Sequence, residues 1–258
     1  MLAAFSALYW VFVIGTMPVF FAGALAVFLA TWPFDRRRVA LHLYSCFWAS
    51  FYVYMNPLWR SEVRGRARLP WRGPAVIVAN HLSMVDILVL YGLYRPFKWV
   101  SKESLFRVPF LGWNMVLNGY VPLRRGASES IRRMYARCRE LLATGAPVLL
   151  FPEGTRSATG ALQPFKDGAF RLAVEAGVPV IPVALRGTWD TLPKHGLALR
   201  NRMDAVVEVL EPLDPRDFPS HAELRDAARA AIAATLGRLE AERASASGAR
   251  PPGTRAAG

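Results

Sequence analysis

Cysteine and histidine are scarce in this chain of 258 residues, which contains two of the former and four of the latter. Two cysteines cannot build the disulfide framework of a small secreted protein, and they form no Cys-x-x-Cys zinc motif. So few histidines give no sign of a His-rich metal site. We therefore expect no metal and no cofactor, and a fold that depends on its apolar core, for which this length is sufficient.

Acidic residues are also in short supply, with 19 against 32 basic residues, and the formal net charge is +13. The excess lies in the middle of the chain, since residues 61–125 carry ten basic and three acidic side chains. A basic surface attracts polyanions such as nucleic acid, phosphorylated metabolites or an anionic membrane. Long intrinsic disorder is excluded, because 53% of the residues are hydrophobic.

Charge is absent from residues 2–34, an apolar run longer than the ~20 residues that cross a bilayer. A cleaved signal peptide fits poorly, because the run is too long and no Lys or Arg precedes it. Arg36, Arg37 and Arg38 follow, and the positive-inside rule then places the body in the cytoplasm. A second run, Val39–Trp59, is rich in aromatic residues; it either completes a membrane hairpin or, as we favour, lies in the interface or re-enters it.

From Arg60 onward, short apolar runs alternate with amphipathic stretches. This alternation predicts an α/β layered domain with a largely parallel central sheet flanked by helices. Predicted strands are Ala75–Ala79, Phe97–Val100, Pro147–Phe151, Val180–Leu185 and Ala205–Leu210, and predicted helices are Val85–Leu93, Ala127–Ala143, Gly168–Ala176 and Ala222–Arg243. The expected organisation is therefore a membrane-anchoring helical segment (1–59), an α/β domain (60–243) and a disordered tail (244–258).

A histidine and a carboxylate follow the first predicted strand of this domain, in the segment Asn80–Asp86. The carboxyl ends of strands are where α/β proteins place working residues. Because the chain turns from strand to helix here, Asp86 can reach one nitrogen of His81 while the other nitrogen accepts a proton. Taken alone, the spacing also fits a histidine that merely caps a helix.

A second polar segment, Phe151–Ser157, follows another predicted strand. Gly154 permits close approach of a ligand to the backbone, Thr155 offers a hydroxyl, and Arg156 offers a bidentate fork for phosphate. Glu153 is unusual in an anion site unless it orients Arg156 or Thr155. The alternative is an ordinary polar loop, and the segment is not a Walker P-loop.

A third segment, Gly119–Arg125, ends with two adjacent arginines after a short apolar run. Arg124 and Arg125 are candidates for a second phosphate contact, because a guanidinium matches phosphate geometry. Solvated surface arginines are the competing interpretation of the same pattern.

In order and spacing, these segments resemble the motif blocks of the 1-acyl-sn-glycerol-3-phosphate acyltransferase (lysophosphatidic acid acyltransferase) family. The resemblance extends from about Trp59 to Leu210. The matching blocks, in family order, are Asn80–Asp86 (Asn-His-x-Ser-x-x-Asp), Gly119–Arg125 (Gly-x-x-Phe-Ile-Asp-Arg), Phe151–Ser157 (Phe-Pro-Glu-Gly-Thr-Arg-Ser) and Val178–Val183. We call them the first to fourth blocks. The second block departs from the family pattern, with Pro122 in place of Phe and Arg124 in place of Asp, so the reaction is better defined than its acceptor.

The resemblance implies roles for individual residues. His81 and Asp86 correspond to the catalytic pair of the family. The second and third blocks bind the acceptor phosphate, and Lys102 lies in a further stretch that resembles the family. The implied substrate-binding residues are Lys102, Arg125, Glu153, Gly154, Thr155 and Arg156.

The implied activity is that of a 1-acylglycerol-3-phosphate O-acyltransferase. An acyl group passes from acyl-CoA or acyl-acyl carrier protein to the sn-2 hydroxyl of lysophosphatidic acid, with no nucleic-acid partner. The implied location is the inner membrane, with the catalytic domain on the cytoplasmic face. Two alternatives stay open: an acyltransferase for another lyso-lipid, such as a lyso-ornithine lipid, and a membrane-anchored module that binds anionic ligands without catalysis.

Overall fold

A seven-stranded sheet forms the centre of the protein in the computed structural model, which describes residues 2–192, 199 and 202–248. The strands are β1 (Trp59–Arg64), β2 (Val76–Ala79), β3 (Lys98–Lys102), β4 (Val121–Leu123), β5 (Val148–Leu150), β6 (Val180–Arg186) and β7 (Met203–Val209). Their order is β1-β7-β6-β2-β5-β3-β4, and every neighbouring pair is parallel except β6 and β7. The predicted α/β fold with a largely parallel sheet is confirmed.

Helices cover both faces of this sheet. They are α1 (Leu2–Thr31), α2 (Val39–Met55), α3 (Asp86–Tyr91), α4 (Leu111–Leu117), α5 (Ser128–Ala143), α6 (Gly168–Ala176) and α7 (His221–Gly248). Helix α6 has the predicted bounds, and it ends at Gly177, whose φ of 62° is the left-handed conformation that a glycine cap adopts easily. The predicted start of the tail at residue 244 is wrong, because α7 continues to Gly248; residues 249–258 of the predicted tail lie outside the described residues.

Alternation along the strands divides the core into two layers, because successive side chains point to opposite faces of the sheet. Ile77 and Ala79 of β2 belong to a cluster that contains residues of α1, α2, α3 and α4. Val76 and Val78 belong to a second cluster, with residues of α5, α6 and α7. The central strands are buried on both faces, as the continuous apolar runs of a parallel sheet predict.

The two N-terminal helices pack on each other and on the domain. Ala4–Thr31 of α1 is long and apolar enough to cross a membrane, and it is the one such helix among the described residues. Helix α2 has a largely buried sequence, and Trp48 and Tyr52 share a core cluster with strand residues. The segment that precedes the sheet is therefore continuous with the core of the domain.

Two arginines of the connection between α1 and α2 bind the domain directly. Arg37 donates from Nη1 to the backbone oxygen of Gly145 at 2.9 Å, and Arg38 donates to that of Leu117 at 2.5 Å. The basic run that the sequence relates to membrane topology thus also ties the helices to the opposite end of the sheet from its carboxyl edge.

Strands β1 and β4 are absent from the sequence-based prediction. Both lie at the edges of the sheet, where charged residues and proline are tolerated because one side of the strand lacks a partner. Strand β1 reads WRSEVR and begins at Trp59, one residue before the predicted domain boundary, and β4 contains Pro122.

Candidate active site

The predicted blocks meet at the carboxyl edge of five adjacent parallel strands, β6, β2, β5, β3 and β4. The first block follows β2, the third follows β5, and the end of the second follows β4. Because β2 lies between β5 and β6, the loop after β2 is flanked by the loops after both neighbours. This is the position at which open α/β sheets bind ligands.

His81 and Asp86 form a buried pair within this edge. Nδ1 of His81 lies 2.7 Å from Oδ2 of Asp86, and Asp86 is fully buried. The same Oδ2 accepts the backbone N–H groups of Leu82 at 2.6 Å and Ser83 at 2.8 Å, and Oδ1 accepts the hydroxyl of Thr188. An acceptor-only carboxylate fixes the proton on Nδ1, and Nε2 is then the nitrogen that can accept a proton.

The third block fixes the position of the His81 ring and backbone. The ring of Phe151 stacks on the imidazole, with centroids 3.9 Å apart and planes 14° apart. The backbone N–H of Ser157 donates to the oxygen of His81 at 2.8 Å. The histidine is therefore held from both sides, by its own loop and by the neighbouring one.

Glu153 has backbone partners in place of the Arg156 or Thr155 side chains that an anion site would suggest. Its Oε1 accepts the N–H of His81 at 2.8 Å, and its Oε2 accepts the N–H of Gln163 at 3.4 Å. Burial raises the pKa of Glu153 to about 7, and hydrogen bonds from these two N–H groups oppose that rise. This buried carboxyl group joins the first block to the third.

Arg125 and Arg156, predicted from separate blocks, lie within each other's electrostatic field. Desolvation lowers the pKa of Arg125, and the positive charge of Arg156 lowers it further. Two guanidinium groups held in mutual repulsion form a place where an anion is stabilised, because the anion offsets their charges.

Lys166 adds a cation that sequence analysis did not single out. Gly154 has a φ of 74°, and a Cβ at this glycine would lie 2.9 Å from Nζ of Lys166. The backbone N–H of Lys166 donates to the oxygen of Pro152 at 2.9 Å. The loop after the third block thus returns over it, and a bare glycine leaves room for the ammonium group.

Lys102 and Arg124 have different surroundings. Lys102 is exposed at the end of β3, where it lies opposite Leu123 of β4. Arg124 is also exposed, and its Nε lies 2.9 Å from Oε2 of Glu103. The ion pair with Glu103 offsets the charge of the residue that departs from the family pattern.

The second block is anchored beneath the N-terminal helices. The hydroxyl of Tyr120 lies 2.8 Å from Nδ1 of His42 in α2 and accepts a hydrogen bond from Tyr91 at 3.1 Å. Lys98 donates from Nζ to the oxygen of Asn118 at 2.7 Å. These buried contacts fix the start of the block, while its arginines are left at the edge of the sheet.

An apolar cavity of about 200 Å³ lies next to the catalytic-type pair. Helices α1 and α2 form one wall, and Met84 and Val85 of the loop after His81 form another. Leu192 and Trp99 contribute from the loop after β6 and from β3. Its lining suits a hydrocarbon chain, whose burial is favourable by about 0.8 kcal/mol per methylene.

Similarity to known proteins agrees with this geometry. Residues 60–186 match the sequence model of the Acyltransferase family. The chain is 33% identical over 180 residues to a 1-acyl-sn-glycerol-3-phosphate acyltransferase of Pseudomonas aeruginosa, with 68% of each chain covered. It belongs to the 1-acyl-sn-glycerol-3-phosphate acyltransferase family.

Further relatives come from algae and bacteria. An enzyme of this name from Chlamydomonas reinhardtii is 41% identical over 205 residues, covering 79% of this chain and 60% of the relative. The chain thus spans about three fifths of the first curated relatives it matches. The crystal structure of the 1-acyl-sn-glycerophosphate (LPA) acyltransferase PlsC from Thermotoga maritima superimposes with a TM-score of 0.74 at 26% identity, covering 93% of this chain and 96% of that one.

Proposed function

We propose that this protein transfers a fatty acyl group to the sn-2 hydroxyl of 1-acyl-sn-glycerol 3-phosphate. The buried His81–Asp86 pair at the carboxyl edge of the sheet, beside an apolar cavity, carries this proposal. The names of its relatives support the same activity. The pair also argues against a module that merely binds anions, which has no use for an oriented general base.

The reaction needs no covalent enzyme intermediate. Nε2 of His81 removes the proton from the acceptor hydroxyl as its oxygen attacks the thioester carbonyl. The new ester C–O bond forms, the C–S bond breaks, and the imidazolium returns the proton to the departing thiolate. Asp86 stabilises the imidazolium in between, and a base of this kind contributes about 10²–10⁴ in rate.

Four cations are available for the phosphate of the acceptor: Lys102, Arg125, Arg156 and Lys166. Arg125 and Arg156 would hold it most directly, which positions the hydroxyl against His81. Thr155 adds a hydroxyl, and Gly154 allows the backbone to approach. We assign Glu153 to support of the His81 loop, because both of its oxygens are occupied by backbone N–H groups.

The donor is acyl-CoA or acyl-acyl carrier protein, and both are anionic, as the basic body requires. The apolar cavity takes an acyl chain. The N-terminal helix holds the enzyme at the membrane that contains its acceptor, and the Arg36–Arg38 run places the domain on the cytoplasmic face of the inner membrane.

One assay tests the proposal as a whole. Purified protein is incubated in detergent with labelled acyl-CoA or acyl-acyl carrier protein and a panel of lyso-lipids, and products are separated by thin-layer chromatography. Labelled phosphatidic acid is the expected product. Preferential acylation of a phosphate-free acceptor such as lyso-ornithine lipid would support the alternative acceptor, and no transfer to any acceptor would contradict the proposal.

A further inference from the structure

The fourth block lacks a role in the chemistry described so far, yet the strand that contains it reaches the active site. Strand β6 pairs with β2, and Asn80 joins the two strands at their carboxyl ends. The Asn80 side chain donates to the oxygen of Leu185 at 2.9 Å and accepts the N–H of Leu185 at 2.7 Å. The loop after β6 is thereby held beside the His81 loop.

The chain turns sharply as it leaves β6. Gly187 has a φ of 87°, and a Cβ at this position would lie 2.0 Å from the backbone oxygen of Asp204. A side chain is therefore excluded at residue 187 both by the backbone conformation and by the neighbouring strand. The next residue, Thr188, is fully buried, and its hydroxyl donates to Oδ1 of Asp86.

The two oxygens of Asp86 have separate functions. Oδ2 accepts from His81 and from two backbone N–H groups of the same loop. Among the residues that the structure describes, Thr188 is the donor to Oδ1, and it comes from a strand 102 residues away in sequence. The local loop alone leaves the carboxylate free to rotate about its Cβ–Cγ bond, and the Thr188 hydroxyl removes that freedom.

We propose that Thr188 is a positioning residue for acyl transfer, acting through Asp86 to hold the carboxylate in the plane that aligns His81. This inference rests on the proposed function. It gives the fourth block a task, which is to deliver one hydroxyl to the back of the catalytic pair.

Thr188→Val removes the hydroxyl and keeps the shape of the side chain. A hydrogen bond to a charged group corresponds to about a ten- to hundredfold effect, so we expect kcat to fall by that factor. The KM for lysophosphatidic acid should stay within about twofold, since Thr188 does not touch the acceptor. Thr188→Ser should restore most of the activity, and Thr188→Cys, a weaker donor, should rank between serine and valine.

Thr191 provides a matched control in the same loop. It is also fully buried, and its hydroxyl has no hydrogen-bond partner among the described residues. Thr191→Val should therefore keep kcat near that of the wild type. A loss in Thr191→Val as large as that in Thr188→Val would show that the loop is merely sensitive to substitution, and would overturn the inference.

A double-mutant cycle with Asp86→Asn separates positioning from general structural damage. If Thr188 acts through Asp86, adding Thr188→Val to Asp86→Asn should cost nothing further, because the carboxylate it orients is already gone. Losses that multiply would contradict the inference, as would serine and cysteine variants of equal activity. Should His81→Ala and Asp86→Asn retain wild-type rates, the proposed chemistry fails; should they lose activity while Thr188→Val does not, only the role of Thr188 fails.

Discussion

The imidazole of His81 lies between two partners from different parts of the chain, Asp86 at its Nδ1 and the ring of Phe151 against its face. Asp86 orients the proton, and Phe151 fixes the ring plane. A general base needs both, because proton transfer depends on the direction of Nε2 as well as on its basicity.

His81→Ala should reduce acyl transfer by at least ~10²-fold with little change in folding or membrane association, because the base is lost while the loop contacts of the backbone stay. Asp86→Asn should be severely impaired too, since an amide can stabilise the wrong tautomer. Initial rates with labelled acyl-CoA measure both. More than about a tenth of wild-type turnover in His81→Ala would contradict an essential base, and wild-type rates in Asp86→Asn would remove Asp86 from the mechanism.

Arg125→Ala and Arg156→Ala should each raise the KM for lysophosphatidic acid and lower kcat/KM by about ten- to a hundredfold, the equivalent of a charge-assisted bond. The donor KM should change less. Lysine at either position should rescue only in part, because it keeps the charge and loses the fork. Lys166→Met should give a smaller loss of the same kind.

Arg124→Ala is the matched control for these variants, because Arg124 is exposed and paired with Glu103. It should change kcat/KM less than Arg125→Ala does. Comparison of a phosphate-bearing with a phosphate-free acceptor decides the assignment: an equal loss on both in Arg156→Ala means that Arg156 is not a phosphate ligand, and the lyso-ornithine-type acceptor would gain support.

Sequence patterns predicted the parts of the site that depend on local order. His81 and Asp86 are five residues apart at the end of a buried strand, and the strand-to-helix turn brings them together as expected. All five predicted strands exist, because each is a short apolar run bounded by turn residues.

The remaining features depend on long-range packing. Thr188 is distant in sequence from Asp86, and nothing in its own neighbourhood marks it as a partner. Lys166 reaches Gly154 only because the loop between them folds back. The edge strands β1 and β4 are too short or too polar to differ from loops, since their backbone pairing, not their side chains, makes them strands.

Deletion of residues 1–34 should weaken membrane attachment without releasing the protein completely. The second helix exposes Phe47, Tyr54 and Met55, and the basic body attracts anionic lipids. Activity should be lost as well, because α1 forms a wall of the apolar cavity. Membrane flotation and the acyltransferase assay measure the two effects. Complete recovery in the soluble fraction would show that Val39–Trp59 contributes no attachment.

Lys98→Met should change how stability depends on pH. Burial, together with the positive charge of Arg38, lowers the pKa of Lys98 from 10.5 to about 7. Between these values the unfolded chain binds a proton that the folded protein does not, so the free energy of unfolding of the wild type rises with pH from about 7 to 10. The variant should lack this rise and gain relative stability at neutral pH, each pKa unit corresponding to ~1.4 kcal/mol. Thermal unfolding in detergent across this range is the measurement; Lys166→Met, whose ammonium is exposed, should follow the wild type.

Ala49→Phe should shorten the acyl chains that the enzyme uses, because Ala49 is buried and lines the apolar cavity. A larger side chain there occupies space that a hydrocarbon chain would fill. Each methylene that no longer fits loses about 0.8 kcal/mol, or about fourfold in kcat/KM. Rates with a series of acyl-CoA donors and with a series of lysophosphatidic acids show which substrate contributes the chain.

Val19→Phe is the control for this variant, because Val19 is on the exposed face of α1, with 71% of its surface accessible, away from the cavity. It adds the same aromatic ring and should leave chain-length preference unchanged. The cavity model requires that Ala49→Phe penalise long chains more than short ones. An equal loss for every chain length would mean that the substitution damages the active site in general, and that the acyl chain lies elsewhere.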